Sequence, residues 1–224
     1  MMERWSALGN VYLVSQERLD AAQVRAEVGD ADGIVEVLAR GDDCADVVIW
    51  NPDGSTAEMS GNATRIAAAW LGAEQTTICV AGREVTARRL PDGQIEQDVG
   101  EVHVAEVELV AEYDVIAVDV GNPHAVVIGD PDELPVIGPL LETHTRFPQR
   151  TNVQVARIDG PGRVTARVWE RGVGETSASG TSAVAVAAAT HAEGDVVVSF
   201  PGGDLRVRLE HGRARLTGPA ERVG

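Results

Sequence analysis

Two short segments place a serine directly before a glycine at the start of an alanine-rich run. They are residues 60–62 (Ser-Gly-Asn) and 179–181 (Ser-Gly-Thr), and the two serines are 119 positions apart. If each run is a helix, its first backbone N–H groups lack intrahelical partners, and the helix dipole favours an anion beside them. The pattern therefore predicts two binding places for a carboxylate. The alternative is that both serines are ordinary helix caps.

These segments belong to a repeat that extends along the chain. Residues 59–69 resemble residues 178–188 at an offset of 119, and residues 81–85 match residues 201–205 at an offset of 120. Two shared features in the same order and at nearly one offset indicate an internal duplication. Each half of the chain must then supply the elements that position one serine.

The sequence pattern predicts those elements. Alternating apolar and polar residues over 85–90 and 205–209 predict β-strands. The alanine-rich runs 63–70 and 183–190 predict helices that are apolar on nearly every side, and such helices belong inside a domain. We therefore predict an α+β fold of two pseudo-symmetric halves, each a curled, mostly antiparallel sheet wrapped around a central apolar helix.

The two halves are predicted to cover residues 1–110 and 111–224. The boundary is expected near Ala111, where a stretch rich in Glu and Val joins them. The first half then holds the Ser60 helix and the second half holds the Ser179 helix. Because ligand sites favour the interfaces between domains, we expect a site for a small carboxylate-bearing amphiphile between the halves.

Composition removes several classes of function. The chain has 19 basic residues, all of them Arg, against 35 acidic residues, and its net charge of −16 repels phosphate backbones and anionic lipids. Neither a nucleic acid nor a membrane is an expected partner. Without any Lys, the sequence excludes both pyridoxal catalysis and a Walker-type phosphate loop. Cys44 and Cys79 lack metal-ligand spacing, and no signal-peptide or membrane-span pattern is present, so we expect a cytoplasmic protein without a metal.

Longer motifs around both serines resemble the signature segments of the diaminopimelate epimerase family. They are residues 51–65 (NPDGSTAEMSGNATR) and 170–181 (ERGVGETSASGT). Further matches occur, in the family's order, at Gly9-Asn10, residues 29–33, residues 121–124 and Asn152. The resemblance spans the whole chain and implies a pyridoxal-independent isomerase that uses no cofactor. The implied reaction is epimerisation of diaminopimelate (L,L to meso), or of a similar diamino acid, by two-base proton transfer at the α-carbon.

The resemblance also implies a role in lysine and cell-wall biosynthesis, with a small amino acid as substrate and a homodimer left open. The implied substrate-binding residues are Asn10, Asn51, Gly61, Asn62, Asn122, Asn152, Glu170, Arg171, Gly180 and Thr181. Amide side chains suit a zwitterion because each offers a donor and an acceptor, and Arg171 would pair with the distal carboxylate. Backbone N–H groups at the helix starts would stabilise the charge that develops when the α-proton leaves. Asn51 and Asn122, each beside a proline, are also typical of plain turns.

The implied acid/base positions depart from the family. The resemblance places a pair of cysteines where this chain has Ser60 and Ser179, and the family's Asp soon after the early Asn is absent at Val11 and Tyr12. A thiol ionises near pH 8.5 and a hydroxyl nearer the ~15.7 of water, so forming the alkoxide costs on the order of 10 kcal/mol more. An unassisted serine pair would not epimerise at a useful rate.

Three interpretations follow. The first is an epimerase whose serines are assisted, or one that is silenced because serines replace both cysteines. The second is a related one-base isomerase or lyase, in which Glu170 or His124 supplies the acid/base group. His124 is also typical of a structural hydrogen bonder. The third is a non-catalytic homologue that binds an amino acid or a partner.

Overall fold

The computed structural model describes residues 2–224, which divide into two units. Unit 1 extends to Asp98 and includes Thr217–Gly224, and unit 2 is Val99–Leu216. Both units are mostly β-strand with two α-helices each among the described residues. The predicted α+β class is confirmed.

The elements of unit 1 alternate strand pairs with single helices. In chain order they are β1 (Glu3–Ala7), β2 (Asn10–Ser15), α1 (Ala21–Glu27), β3 (Gly33–Arg40), β4 (Cys44–Trp50), β5 (Thr56–Ala57), α2 (Gly61–Leu71), β6 (Gln75–Val80), β7 (Arg83–Arg89) and β8 (Ile95–Glu101). The strands pair in the order β1, β2, β3, β4, β6, β7, β8. Neighbours are antiparallel except β2 with β3 and β4 with β6, which are parallel and are connected through α1 and α2.

The elements of unit 2 follow the same plan. They are β9 (His103–Val110), β10 (Tyr113–Asp119), β11 (Pro123–Ile128), a short 3-10 turn at Pro131–Glu133, α3 (Leu134–Glu142), β12 (Asn152–Gly160), β13 (Arg163–Glu170), β14 (Gly174–Thr176), α4 (Gly180–Thr190), β15 (Gly194–Phe200), β16 (Gly203–Glu210) and β17 (Arg213–Gly218). Here β11 with β12 and β13 with β15 are the parallel pairs, connected through α3 and α4. The repeat predicted from the sequence is therefore present in the topology of the two units.

A buried helix occupies the centre of each unit. In unit 1, α2 contacts β1, β2, β4, β6 and β7, and in unit 2, α4 contacts β10 to β13, β15 and β16. Alanines on each helix are buried against these strands, since small side chains let the helix approach the sheet closely. Each sheet is thus curled around its helix, as the sequence pattern predicts. None of the helices within residues 2–224 is long and apolar enough to cross a bilayer.

The boundary between the units differs from the one expected near Ala111. Ala111 and Glu112 form the tight turn between β9 and β10, with φ angles of 49° and 73°. The Glu/Val stretch before them is β9, which pairs with β10 inside unit 2 and is no linker. After unit 2 the chain returns to unit 1, where β18 (Glu221–Arg222) pairs with β1.

Candidate active site

In unit 1, Ser60 caps the N-terminus of α2. Its Oγ accepts a hydrogen bond from the Ala63 N–H at 3.2 Å, and its carbonyl accepts from the Thr64 N–H at 3.0 Å. The Ser60 backbone is extended, with φ −145° and ψ 118°, as N-cap residues require. Gly61 and Asn62 follow as the first residues of the helix, where backbone N–H groups have no intrahelical acceptor. This geometry suits the predicted binding of a carboxylate.

Tyr12 of β2 reaches the same cap. Its hydroxyl lies 3.4 Å from Ser60 Oγ, and the residue is buried, with 7% of its surface exposed. Gly33 on the neighbouring strand makes room for the ring, since a Cβ at this position would lie 2.7 Å from Tyr12 Cε1 and 2.4 Å from the Trp50 carbonyl oxygen. Tyr12 and Gly33 are register partners in the parallel pair of β2 and β3. The ring therefore has a fixed place beside Ser60.

Beneath the first turn of α2 lies a completely buried guanidinium. Arg65 donates from Nη2 to Asn62 Oδ1 at 2.9 Å, from Nε to the Pro219 carbonyl at 3.0 Å, and from Nη1 to the Gly61 carbonyl at 3.4 Å. No carboxylate of the described residues forms an ion pair with it, and desolvation lowers its pKa to about 10. Arg65 still carries its charge at neutral pH, so it fixes the Asn62 side chain and adds positive potential where the helix begins.

In unit 2, Ser179 caps α4 through its backbone alone. Its carbonyl accepts from the Ala183 N–H at 3.0 Å, whereas its side chain makes no capping hydrogen bond. Ser179, Gly180 and Thr181 are all buried. The two serines thus begin equivalent helices, but only the Ser60 hydroxyl is used as a cap.

His124 stands in a chain of hydrogen bonds that returns to α4. Its Nε2 donates to Asn122 Oδ1 at 3.0 Å, and its Nδ1 accepts from Gln154 Nε2 at 3.0 Å, a tautomer assigned from these partners. Gln154 Nε2 also donates to Ser182 Oγ at 2.9 Å, and Asn122 Nδ2 donates to Thr181 Oγ1 at 3.5 Å. Burial is the main cause that lowers the pKa of His124 to about 3. The ring is therefore neutral, with both nitrogens engaged, and it orients the Asn122 amide.

A second set of contacts holds the segment around Arg171. Asn152 Oδ1 accepts from the Arg171 N–H at 3.0 Å, and Glu142 Oε1 accepts from the Gly172 N–H at 2.8 Å. Glu142 Oε2 accepts from Trp169 Nε1, also at 2.8 Å. Burial opposes ionisation of Glu142, but these hydrogen bonds and Arg150 outweigh it and hold the pKa of Glu142 below its usual value. Sequence reasoning missed Glu142, because nothing in its local pattern marks it.

The remaining predicted residues have separate places. Glu170 Oε1 accepts from the Thr176 hydroxyl at 2.6 Å, which fixes the carboxylate at the end of β13. Asn10 begins β2 and is buried on the same face as Tyr12. Asn51 lies in a turn, where its Nδ2 donates to Ser55 Oγ at 2.9 Å. Within residues 2–224, no cluster of His, Cys, Asp and Glu side chains is arranged to hold a metal ion.

Comparisons with known proteins point in one direction. A family model described as diaminopimelate epimerase matches residues 116–223. The chain is 35% identical to the diaminopimelate epimerase of Pelotomaculum thermopropionicum, covering 86% of this chain and 81% of that one. It is 36% identical to the diaminopimelate epimerase of Synechocystis sp., covering 86% and 82%.

Solved structures share the fold at lower sequence identity. A predicted epimerase from Pseudomonas aeruginosa superposes with a TM-score of 0.77 at 18% identity, covering 100% of this chain and 96% of that one. A probable proline racemase from Agrobacterium radiobacter superposes with a TM-score of 0.66 at 14% identity, covering 100% and 91%.

Proposed function

Because this chain belongs to the diaminopimelate epimerase family, we propose that it interconverts L,L- and meso-diaminopimelate without a cofactor, by two-base proton transfer at the α-carbon. The family consists of isomerases, and its relatives carry the name of an enzyme of lysine biosynthesis. A cytoplasmic location is part of the proposal. A homodimer is a further expectation, which light scattering on the purified protein would test.

One observation carries the proposal. Ser60 and Ser179 cap equivalent central helices, 119 positions apart, in two units of the same topology. Two-base epimerisation needs two acid/base groups, one that removes the α-proton and one that returns a proton to the opposite face of the carbon. The serines occupy the positions of this pair. The backbone N–H groups of Gly61, Asn62, Gly180 and Thr181 are proposed to bind the reacting carboxylate.

The amide side chains and one guanidinium are proposed to hold the rest of the substrate. They are Asn10, Asn51, Asn122, Asn152 and Arg171. Arg171 would bind the distal carboxylate with two parallel hydrogen bonds. The contacts of its N–H with Asn152, and of the following N–H with Glu142, support this assignment because they hold the backbone at the guanidinium in one place.

Hydroxyls at both positions require help with proton transfer. Glu170 is proposed as the helper in unit 2, where its carboxylate is oriented by the Thr176 hydroxyl. His124 is the other candidate for this role, but both its ring nitrogens are engaged and burial lowers its pKa to about 3. Its proposed role is to orient Asn122. Glu170→Gln should therefore slow proton exchange more than His124→Gln, and the reverse order would move the assignment to His124.

Proton exchange in deuterated water tests the proposal directly. The protein is incubated with L,L- and meso-diaminopimelate in D₂O, and loss of the α-proton signal is followed by NMR. Deuterium incorporation with inversion supports a two-base epimerase. Incorporation without inversion favours a one-base isomerase or lyase. Calorimetric binding with no exchange would leave a non-catalytic amino-acid-binding homologue, and no binding at millimolar ligand would refute the proposal.

A further inference from the structure

The hydroxyl of Tyr12 lies beside the hydroxyl of Ser60. The two oxygens are 3.4 Å apart, and the Tyr12 ring fits at this place because Gly33 has no side chain. The repeat offers a comparison inside the molecule. Tyr12 pairs in register with Gly33 at the start of the parallel β2–β3 ladder, and His124 pairs in register with Asn152 at the start of the parallel β11–β12 ladder, so Tyr12 and His124 stand at equivalent places in the two units. His124 bonds Asn122 and Gln154, whereas Tyr12 contacts the serine.

The chemistry of the serine explains why such a neighbour matters. An alcohol ionises near the ~15.7 of water, whereas a phenol ionises near pH 10. At any pH below 10, the ionised fraction of a phenol exceeds that of an alcohol by about a millionfold. A phenolate beside Ser60 is therefore a far more available base than a serine alkoxide, and it can accept the hydroxyl proton in concert with the uptake of the α-proton by Ser60 Oγ.

We propose that Tyr12 is the proton acceptor of the unit 1 site and acts through Ser60. This inference rests on the proposed function. In the forward step, Ser60 Oγ takes the α-proton of the substrate while the Ser60 hydroxyl proton passes to the Tyr12 phenolate oxygen. The electron pair of the broken C–H bond remains on the substrate as a carbanion stabilised by its carboxylate, and Tyr12 becomes neutral. The reverse step returns the proton through the same two oxygens.

The surroundings place positive charge at the start of the helix that Ser60 caps. Ser60 begins α2, whose dipole places positive potential at its N-terminus. The buried guanidinium of Arg65 contacts Gly61 and Asn62 in the same turn and has no carboxylate partner within residues 2–224. Positive charge without a resident anion stabilises negative charge nearby.

A single-atom change tests the inference. Tyr12→Phe removes the hydroxyl and keeps the ring that packs against Gly33. We expect at least a hundredfold loss of α-proton exchange with unchanged diaminopimelate affinity by calorimetry. Because the proposed step uses the phenolate form, the wild-type exchange rate should rise with pH, and Tyr12→Phe should lose that rise. The matched control is Tyr113→Phe, which alters the other tyrosine of the chain, half-buried on β10, and should leave exchange unchanged.

Repeating the Tyr12→Phe change in the Ser60→Cys variant distinguishes a proton-transfer role of Tyr12 from a packing role. In Ser60→Cys the thiol supplies its own acid/base group, so adding Tyr12→Phe should change exchange by less than threefold. An equal loss in both backgrounds would show that Tyr12 acts only structurally and would overturn the inference. Full exchange in Tyr12→Phe alone would overturn it as well.

The same measurements distinguish the failure of this inference from failure of the proposed function. If the wild type exchanges the α-proton with inversion and Tyr12→Phe does so at the same rate, the proposed function stands and the role of Tyr12 is refuted. If neither protein binds or exchanges diaminopimelate, the proposed function and the inference both fail.

Discussion

The buried imidazole of His124 predicts a specific acid sensitivity of the folded protein. Folding lowers its pKa from 6.5 to about 3, chiefly through burial. The unfolded chain therefore binds one more proton than the folded chain between these two values, and the free energy of unfolding falls as pH falls through this window. The neutral-His contribution is complete above pH 6.5 and is lost progressively towards pH 3.

The size of the effect follows from the two pKa values. At pH 5 the unfolded imidazole is almost fully protonated and the folded one is almost fully neutral. The gap of about 1.5 units between pH 5 and the unfolded pKa corresponds to about 2 kcal/mol of unfolding free energy at ~1.36 kcal/mol per unit. Carboxylates with lowered pKa values, such as Glu142, add acid sensitivity of the same sign. A comparison with a variant that lacks only this imidazole separates the two contributions.

Urea unfolding at pH 7.5 and pH 5, followed by tryptophan fluorescence, provides the assay. His124→Gln should be less stable than wild type at pH 7.5, but its loss of unfolding free energy between the two pH values should be smaller by about 2 kcal/mol. His103→Gln is the matched control, because His103 is largely exposed and should leave the wild-type pH dependence intact. Parallel pH curves for wild type and His124→Gln would refute the assignment of a buried, neutral imidazole.

Three further predictions concern substrate binding, catalysis and stability. The double variant Ser60→Cys with Ser179→Cys should create or greatly raise epimerase activity, because thiols ionise more readily at helix starts. Each single variant should give α-proton exchange with little inversion. A folded double variant that binds diaminopimelate but does not exchange its α-proton would contradict this prediction. Arg171→Ala should weaken diaminopimelate binding at least tenfold by calorimetry, and an unchanged affinity would show that it is misassigned. Glu142→Ala leaves the Trp169 and Gly172 N–H donors without an acceptor and should lower the free energy of unfolding in urea by about 2–4 kcal/mol. Glu142→Gln should lower it less, and a Glu142→Ala variant as stable as the wild type would contradict this prediction.

Features with a local signature could be predicted from the sequence. The alanine-rich runs at 63–70 and 183–190 lie within α2 and α4, and the alternating residues at 205–209 lie within β16. Small apolar residues and strict period-two alternation have few structural solutions, so local pattern sufficed. By contrast, α3 carries Pro139 in its interior, where proline opposes helix formation, whereas Pro135 in its first turn is tolerated. Its buried Leu134, Ile137 and Leu141 stabilise it through tertiary packing, which a local pattern does not reveal.

The site was predictable only in part for the same reason. Ser60 and Ser179 stand out because they repeat at one offset. Arg65, between Thr64 and Ile66, has nothing in its local sequence that marks a completely buried cation, and its Pro219 partner is 154 positions away. The contact of Tyr12 with Ser60 joins residues 48 positions apart on different elements. Such pairings are set by strand register and helix placement, and these emerge only when the chain folds.

Unit 1 consists of two pieces of chain separated by the whole of unit 2, and this affects the order in which the protein matures. Ribosomal synthesis proceeds from the N-terminus, so residues 217–224 emerge only after unit 2 has been made. Until then β1 lacks its pairing with β18, and the Arg65 guanidinium lacks the Pro219 carbonyl. A nascent first unit would therefore have an open strand edge at β1 and an Arg65 Nε without its acceptor. We therefore expect the contiguous second unit to complete its fold first, and the unit that begins the chain to be the last to become native.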